Sequence, residues 1–246
     1  MQVSEFKNKE MVFIGKKFLD NSGKKSFARR GYTISNSANL LKLKKILKID
    51  KEFYNSYVTI ATYSEMPHFP LAPKLHWPLC KEWIKTKDKT IIKMDFFLDF
   101  DGEPTTEGIT SAWKDSQKAL TSLKELIGED AKYLTTWFSG NKGFHILGKC
   151  RIGSNWGNTG QEIVDKQKEI AEQLVLLYPT VDTTIYDTGR IRKLLGSTVY
   201  STNFGKTRVI PVSNEQEFKE LIVALEQKDF NYFEKKELLA VHNVDL

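Results

Sequence analysis

The strongest constraint on the fold is an apolar, β-favouring run over residues 90–99 that leads into a pair of aspartates. Before Asp99, only Lys93 and Asp95 interrupt its large apolar side chains, which predicts a strand in the centre of a sheet. Asp99 and Asp101 lie two positions apart. On a strand, both carboxylates therefore project from one face, while Phe100 points to the opposite face and into apolar packing.

A pair of same-face carboxylates has a direct chemical consequence. Two carboxylates this close repel each other unless a cation lies between them. Mg²⁺ or Mn²⁺ fits this need, because both ions take hard oxygen ligands and keep open positions for water and phosphate. The pattern Asp99-x-Asp101 is unspecific by itself, since two surface aspartates at the end of a strand have the same spacing.

A second motif is the sequence SGNKGFH at residues 139–145. Its two glycines permit a tight backbone turn and expose backbone N–H groups. Ser139, Lys142 and His145 add three side-chain donors that can meet a triphosphate. A plain hairpin turn followed by a buried histidine is the alternative interpretation of the same residues.

A third motif spans residues 181–197 and joins acidic to basic residues. Asp182 can complete a trio of carboxylates with the first two aspartates. Asp187 is the alternative third acid, or it pairs with Arg190 in a simple salt bridge. The spacing does not decide between Asp182 and Asp187. Arg190, Arg192 and Lys193 concentrate positive charge where phosphates would lie.

The remaining sequence alternates irregularly between strand and helix patterns, which predicts an α+β fold. Pro67, Pro70, Pro73 and Pro78 predict a break in regular structure. Strands are expected at residues 54–63, 90–99, 133–138, 143–150 and 208–212, and helices at 40–49, 106–127, 161–178, 215–227 and 230–239.

Composition narrows the class of protein further. The chain has 246 residues and a net charge of +6, a mild basic excess that is compatible with a polyanionic partner. Its two cysteines form no CxxC pair, which argues against a zinc ribbon. No apolar run approaches the roughly 20 residues that a membrane span needs, and the N-terminal residues lack a signal core. We expect a soluble cytoplasmic protein without membrane contact.

Taken in order, the three motifs resemble those of the archaeo-eukaryotic primase superfamily. The first motif, LDFD, is similar to that family's hDhD, in which h is a hydrophobic residue, and the second, SGNKGFH, is similar to its SGxxGxH. The third, an aspartate followed by RIRKLLGS, is similar to the family's carboxylate followed by a basic stretch and a serine. The resemblance covers roughly residues 27–212. It implies a core of mixed β-sheets flanked by helices, with two lobes around one active-site cleft. Residues 1–246 would form a single catalytic domain, with an N-terminal lobe over about 1–90, a core over about 90–212 and a helical cap over about 213–246.

The resemblance also implies roles for individual residues. Asp99, Asp101 and Asp182 would be the metal-binding and catalytic carboxylates. A further set would contact the incoming nucleotide, with Ser139 and His145 on its phosphates and basic side chains in support. This nucleotide-binding set consists of Ser139, Lys142, His145, Arg190, Arg192, Lys193 and Ser197.

Two departures from the family pattern refine this expectation. Many members carry a histidine two residues after the position of Ser197, where this chain has Val199. The nucleotide contact of that histidine is then lost or taken over by a neighbour such as Tyr200. The chain also lacks the cysteine cluster of replicative small subunits. The missing cysteine cluster points away from a heterodimeric replicative primase and toward a compact primase-polymerase.

The expected activity is template-directed nucleotidyl transfer with Mg²⁺ or Mn²⁺. The enzyme would make primers and extend strands from NTPs or dNTPs on single-stranded or primer-template DNA, releasing pyrophosphate. One alternative is a gap-filling or end-joining repair polymerase that needs a primer, and another is a nucleic-acid-binding module without catalysis. Ribose preference, pathway and association or fusion with replication, repair or CRISPR components are left open, as is whether the chain is part of a longer protein.

Overall fold

The structure is a computed structural model that describes residues 8–19, 25–32, 53–67, 73–151 and 155–242. The fold is α+β, as predicted, and its described strand pairs are antiparallel. The strands are β1 Met11–Leu19, β2 Lys25–Tyr32, β3 Phe53–Thr59, β4 Ala61–Tyr63, β5 Ile91–Asp101, β6 Thr135–Phe138, β7 Gly143–Arg151, β8 Ile191–Lys193, β9 Thr198–Ser201, β10 Gly205–Arg208 and β11 Ile210–Pro211. The α-helices are α1 Pro73–Thr86, α2 Thr106–Ile127, α3 Gly160–Val175, α4 Glu215–Gln227 and α5 Phe230–His242.

A five-stranded sheet in the order β11-β6-β7-β5-β4 forms the centre of the molecule. Its longest pairing joins β5 to β7, with Asp99 opposite His145 and Phe100 opposite Phe144. Side chains alternate between the two faces of a strand. The apolar residues Phe96, Leu98, Phe100 and Phe144 are buried, so the polar partners Asp99 and His145 share the other face.

Helix α2 begins at a well-defined N-cap and carries a continuous apolar face. The Thr105 side chain accepts a hydrogen bond from the backbone N–H of Gly108, which satisfies one of the free donors of the first turn. Trp113 on the buried face contacts the ring of Phe144 at 5.2 Å and stacks on Phe218 of α4 at 5.0 Å. These aromatic contacts fix the helices on the face of the sheet that is opposite the polar residues.

The second edge of β5 is completed by three different partners along its length. Strand β4 pairs as far as Met94. The buried side chain of Gln167 then replaces a strand: its amide accepts from the Phe97 N–H and donates to the Asp95 carbonyl, both at 3.1 Å. Beyond this point the segment 180–182 pairs with the end of β5. This last pairing brings a distant part of the chain to the paired aspartates.

A second sheet, in the order β2-β1-β3-β8, carries the basic stretch. It is tied to the central sheet through Ile60, which lies between β3 and β4. The carbonyl of Ile60 accepts from the Asp95 N–H at 2.9 Å, and the N–H of Ile60 donates to the Arg190 carbonyl at 3.0 Å. The start of the basic stretch is thus held beside strand β5.

The structure corrects several predicted boundaries. Residues 73–86 form helix α1, although four prolines predicted irregular structure there. Pro73 is the first helical residue, where its missing N–H costs nothing, and Pro78 lies inside the helix. The predicted strand at 54–63 is divided at Ile60 into β3 and β4, and helix α3 ends at Val175 before the expected end at 178.

Two other expectations have different outcomes. The predicted helix at residues 40–49 lies outside the described residues. Within the described residues, no helix has both the length and the apolar character needed to cross a membrane.

Candidate active site

Three carboxylates meet at the end of strand β5. Asp99, Asp101 and Asp182 each place an oxygen within 4.8 Å of the others. Asp99 and Asp101 share a face because they alternate with the buried Phe100. Asp182 joins them because its N–H donates to the Asp99 carbonyl at 2.9 Å, while the Asp101 N–H donates to the Thr180 carbonyl at 2.7 Å. We call these three residues the acid cluster.

Asp99 is largely buried, with 14% of its side chain exposed. Burial and the neighbouring charge of Asp101 raise the pKa of Asp99 from 3.8 to about 7, against the opposing effect of Lys193 and Arg190. Among the described residues, its buried Oδ1 has no hydrogen-bond partner. An unpaired buried carboxylate oxygen is costly unless a cation or a donor satisfies it.

His145 lies beside Asp99 on the neighbouring strand. Its Nε2 is 3.5 Å from Asp99 Oδ1, and its ring meets the edge of Phe97 at 5.0 Å. Burial lowers the pKa of His145 well below 6.5, and the charges of Lys193 and Arg192 act in the same direction. The imidazole is therefore neutral near pH 7, so its contact with Asp99 is not an ion pair.

The turn at residues 139–143 leads into β7 and lies next to the acid cluster, on the same edge of β5 as His145. Lys142 Nζ contacts Asp101 Oδ2 at 2.8 Å. The Lys142 carbonyl accepts from the Gly102 N–H at 3.0 Å, which fixes the backbone of the turn against the end of β5. A Cβ on Gly143 would lie only 1.8 Å from the Phe100 carbonyl oxygen, so this close approach requires glycine.

Gly140 gives the same turn its shape. Its φ of +83° lies in the left-handed region, and a Cβ there would lie 2.6 Å from a methyl carbon of Val199. The side chain of Val199 is buried and packs on this turn. Thr207 of β10 donates to the Gly140 carbonyl. Strands β9 and β10 therefore support the turn from outside.

The basic residues divide into those near the acid cluster and those that make other contacts. Lys193 donates to the Ser139 carbonyl at 2.8 Å, so it lies between the turn and the acids, and its charge and that of Arg190 act on Asp99. Arg192 is directed elsewhere: its Nε is 3.5 Å from Asp95, and its guanidinium lies over the ring of Trp137.

Ser197 lies on the same segment, and its known contacts are made through the backbone. Its N–H donates to the Leu194 carbonyl, and its carbonyl accepts from the Val209 N–H. Its buried hydroxyl has no hydrogen-bond partner among the described residues. These contacts connect Ser197 to the β9–β10 hairpin rather than to the acid cluster.

Of the two candidate third acids that the sequence left open, the structure brings Asp182 next to Asp99 and Asp101. Among the described residues, the group that can hold a metal ion contains Asp182 and not Asp187. Thr184 fixes the orientation of Asp182, because its backbone N–H and its hydroxyl both donate to Asp182 Oδ1, at 2.8 and 2.7 Å. Neither of these two hydrogen bonds uses Asp182 Oδ2.

The acid cluster has the properties of a divalent-cation site. It offers hard oxygen ligands from three residues at mutual distances that one ion can bridge. The orphaned Oδ1 of Asp99 supplies an independent sign, since a cation would satisfy it. The residues present therefore fit a bound metal ion.

Comparison with known proteins adds two similar structures. No family model matches the chain, and no curated protein matches it. One of the two structures is the polymerase domain of Ligase D from Mycobacterium tuberculosis in complex with DNA, which is 13% identical in sequence. The match has a TM-score of 0.48 and covers 96% of this chain and 87% of that chain. The AEP domain of the primase-polymerase from cyanophage S-2L is 13% identical with a TM-score of 0.39, over 79% of this chain and 76% of that chain.

Sequence reasoning missed two supporting residues. Thr184 follows Asp182 by two positions, a spacing typical of side-chain turns at aspartate, and this signal was available. Asp95 shares the face of Asp99 and Asp101 by simple alternation along β5. Its partner Lys9, whose Nζ is 3.1 Å from Asp95 Oδ2, lies far away in the sequence and no local pattern indicates it.

Proposed function

We propose that this protein is a template-dependent nucleotidyltransferase of the primase-polymerase type, which adds NTPs or dNTPs to a nucleic-acid strand and releases pyrophosphate. The observation that carries the proposal is the convergence of Asp99, Asp101 and Asp182 within 4.8 Å, beside the turn that contains Ser139 and Lys142. The family resemblance names the same three motifs for this chemistry.

In this proposal the acid cluster holds Mg²⁺ or Mn²⁺. When bound, such ions lower the pKa of an attacking hydroxyl and neutralise the charge on the leaving phosphate oxygens. Asp99 and Asp101 present their carboxylates from the rigid strand β5, and Asp182 is oriented by its two hydrogen bonds from Thr184. Few mobile groups are needed, because positioning and charge neutralisation supply most of the rate enhancement in phosphoryl transfer.

The turn at residues 139–143 and strand β8 would bind the triphosphate. Lys142, Lys193 and Arg190 supply the positive charge, and the backbone N–H groups of a glycine-containing turn are suited to anions. His145 is neutral, so it can contact a phosphate oxygen by hydrogen bonding without adding charge. Arg192 has a supporting role in this scheme, since its guanidinium lies near Asp95.

The template and growing strand are expected to be DNA, single-stranded or primed. The net charge of +6 is compatible with a polyanionic partner, and attraction to phosphates of this kind weakens as salt concentration rises. Binding to a labelled single-stranded oligonucleotide should therefore weaken steeply with added salt.

A primer-synthesis assay tests the proposal. The protein is incubated with Mg²⁺ or Mn²⁺, labelled NTPs or dNTPs, and either an unprimed single-stranded template or a primed one. Products on the unprimed template support a primase, and products on the primed template alone identify a primer-dependent polymerase such as a gap-filling or end-joining enzyme. Absence of products on both templates would contradict the proposal and favour a binding module.

The assay needs a variant that distinguishes the activity of this protein from that of a contaminating polymerase. Asp101→Ala removes one carboxylate of the acid cluster and should abolish incorporation while circular dichroism shows an unchanged fold. Near-normal incorporation by Asp101→Ala would contradict the role of the acid cluster.

A further inference from the structure

Lys142 makes a contact that a purely phosphate-binding lysine would not need. Its Nζ lies 2.8 Å from Asp101 Oδ2, within the distance of a charge-assisted hydrogen bond. Burial is incomplete for both partners, with 41% of the Lys142 side chain and 29% of the Asp101 side chain exposed. The ammonium therefore occupies a carboxylate oxygen of the acid cluster and still has room to move.

The backbone of Lys142 is fixed much more firmly than its side chain. Its carbonyl accepts from the Gly102 N–H at 3.0 Å, and the next residue, Gly143, pairs with Asp101 in the β5–β7 ladder. A Cβ added at Gly143 would lie 1.8 Å from the Phe100 carbonyl oxygen, so the backbone of the turn is already packed closely on β5. A change of partner by Lys142 would therefore involve only its flexible four-carbon stem.

A divalent cation held by the acid cluster would compete with Lys142 for the carboxylate of Asp101. Oxygen ligands approach Mg²⁺ to about 2.0–2.1 Å, so a cation bound at Asp101 Oδ2 and an ammonium hydrogen-bonded to that atom would lie within a few ångströms of each other. Two positive ions at that distance repel each other, and both draw on the same carboxylate. Occupation by one disfavours occupation by the other.

We infer that Lys142 is an exchangeable counter-ion, which competes with a divalent cation for Asp101 and takes a triphosphate oxygen as its new partner when the cation binds. This inference rests on the proposed function, since it assumes that the acid cluster binds cation and nucleotide together. Cation and triphosphate then strengthen each other's binding: the cation releases Lys142 toward the phosphate, and the phosphate removes the competitor of the cation. Such coupling is reciprocal by thermodynamic necessity.

Measurement of Mn²⁺ affinity tests the inference without any catalytic readout. Protein stripped with a chelator is titrated with Mn²⁺ by calorimetry, alone and with a saturating non-hydrolysable nucleoside triphosphate. In Lys142→Met, which keeps the stem and removes the charge, the affinity for Mn²⁺ alone should rise by about tenfold, the effect of losing one charge-assisted hydrogen bond. The nucleotide should then increase the Mn²⁺ affinity less in the variant than in the wild-type protein.

Two further variants control the experiment. Lys149→Met removes the same charge from an exposed position farther along β7, so an equal rise there would assign the effect to net charge and overturn the inference. Lys142→Arg keeps a cation at the site and should retain the coupling between Mn²⁺ and nucleotide.

The outcomes separate this inference from the proposed function. Wild-type protein that binds Mn²⁺, with the affinity unchanged in Lys142→Met, would overturn the counter-ion role and leave the proposed function intact. Wild-type protein that binds no Mn²⁺ with or without nucleotide would overturn both.

Discussion

The backbone N–H of Asp182 donates to the carbonyl oxygen of Asp99 at 2.9 Å. Because Phe100 also pairs with Val181, the segment 180–182 continues the sheet along the free edge of β5. Residues directly opposite each other in a sheet point to the same face. The third acid is therefore positioned by backbone pairing and not by the conformation of a flexible loop, so substitutions of its side chain should leave the architecture intact.

The two acids of the third motif should behave very differently when neutralised. Asp182→Asn keeps an acceptor for Thr184 but removes a charged ligand, so nucleotide incorporation should fall by at least about 100-fold and Mn²⁺ binding should weaken. Asp187→Asn, outside the acid cluster, should retain both. Equal losses in the two variants, measured by incorporation rate and by calorimetry, would reject the assignment.

Asp99 should make the chelator-treated protein less stable as pH rises. Its folded-state pKa of about 7 lies above the unfolded value of 3.8, so the stabilising contribution is fully present below pH 3.8 and is lost as pH rises through 7. Asp99→Asn does not titrate. The stability advantage of Asp99→Asn over wild type in urea melts should widen by about 2–3 kcal/mol between about pH 5 and about pH 8. A stability advantage of Asp99→Asn that stays constant between these two pH values would contradict the pKa assignment.

Replacement of His145 should affect nucleotide binding more than folding. His145→Phe retains an aromatic ring against Phe97 but removes the hydrogen-bonding nitrogens, so the KM for nucleotide should rise by about tenfold. Phe97→Leu alters the same ring contact from the other side and keeps the imidazole, so its KM should stay near the wild-type value. A wild-type KM in His145→Phe would show that the role of this residue is purely structural.

The amide of Gln167 should contribute strongly to the stability of the sheet. Gln167→Leu leaves the Phe97 N–H and the Asp95 carbonyl without their partner, which should lower the free energy of unfolding by about 2–4 kcal/mol. Gln161→Leu on the same helix removes only an exposed contact with Asp165 and should cost little. Chemical denaturation compares the two, and similar losses would show that Gln167 does not act as a surrogate strand.

Gly140 and Gly205 form a matched pair that isolates crowding from backbone conformation. Both have positive φ, but only at Gly140 would a Cβ meet Val199, whereas the space at Gly205 is open. Gly205→Ala should cost about 1–2 kcal/mol for the left-handed backbone alone. Gly140→Ala should cost more and should also impair nucleotide incorporation, because the turn at 139–143 must shift. Equal thermal shifts with normal activity would contradict this role of the turn.

The sequence predicts the secondary structure best where a local pattern of residues is enough to determine it. The bounds of α2 and α4 match the expected residues 106–127 and 215–227, because in both helices an apolar face follows a side-chain N-cap, Thr105 or Asn214. The same-face geometry of Asp99 and Asp101 follows from strand alternation. Helix α1 is not predicted from the sequence, because closely spaced prolines are typical of irregular structure, although proline is well suited to the first helical position that Pro73 occupies.

Features that depend on distant pairing could not be predicted from local pattern. The choice of Asp182 over Asp187 requires the pairing of residues 180–182 with β5, which no short-range signal encodes. The contact of Lys142 with Asp101 depends on how closely the turn packs on the end of β5. The orientation of Arg192 toward Asp95 depends on the junction of two sheets at Ile60.

The most direct test of the central claim is the position of bound manganese. Crystals grown with Mn²⁺ and a non-hydrolysable nucleoside triphosphate are measured at the manganese absorption edge. The account predicts anomalous peaks coordinated by Asp99, Asp101 and Asp182, with the triphosphate against Ser139 and Lys193. Manganese bound elsewhere, or a triphosphate remote from these three aspartates, would contradict it.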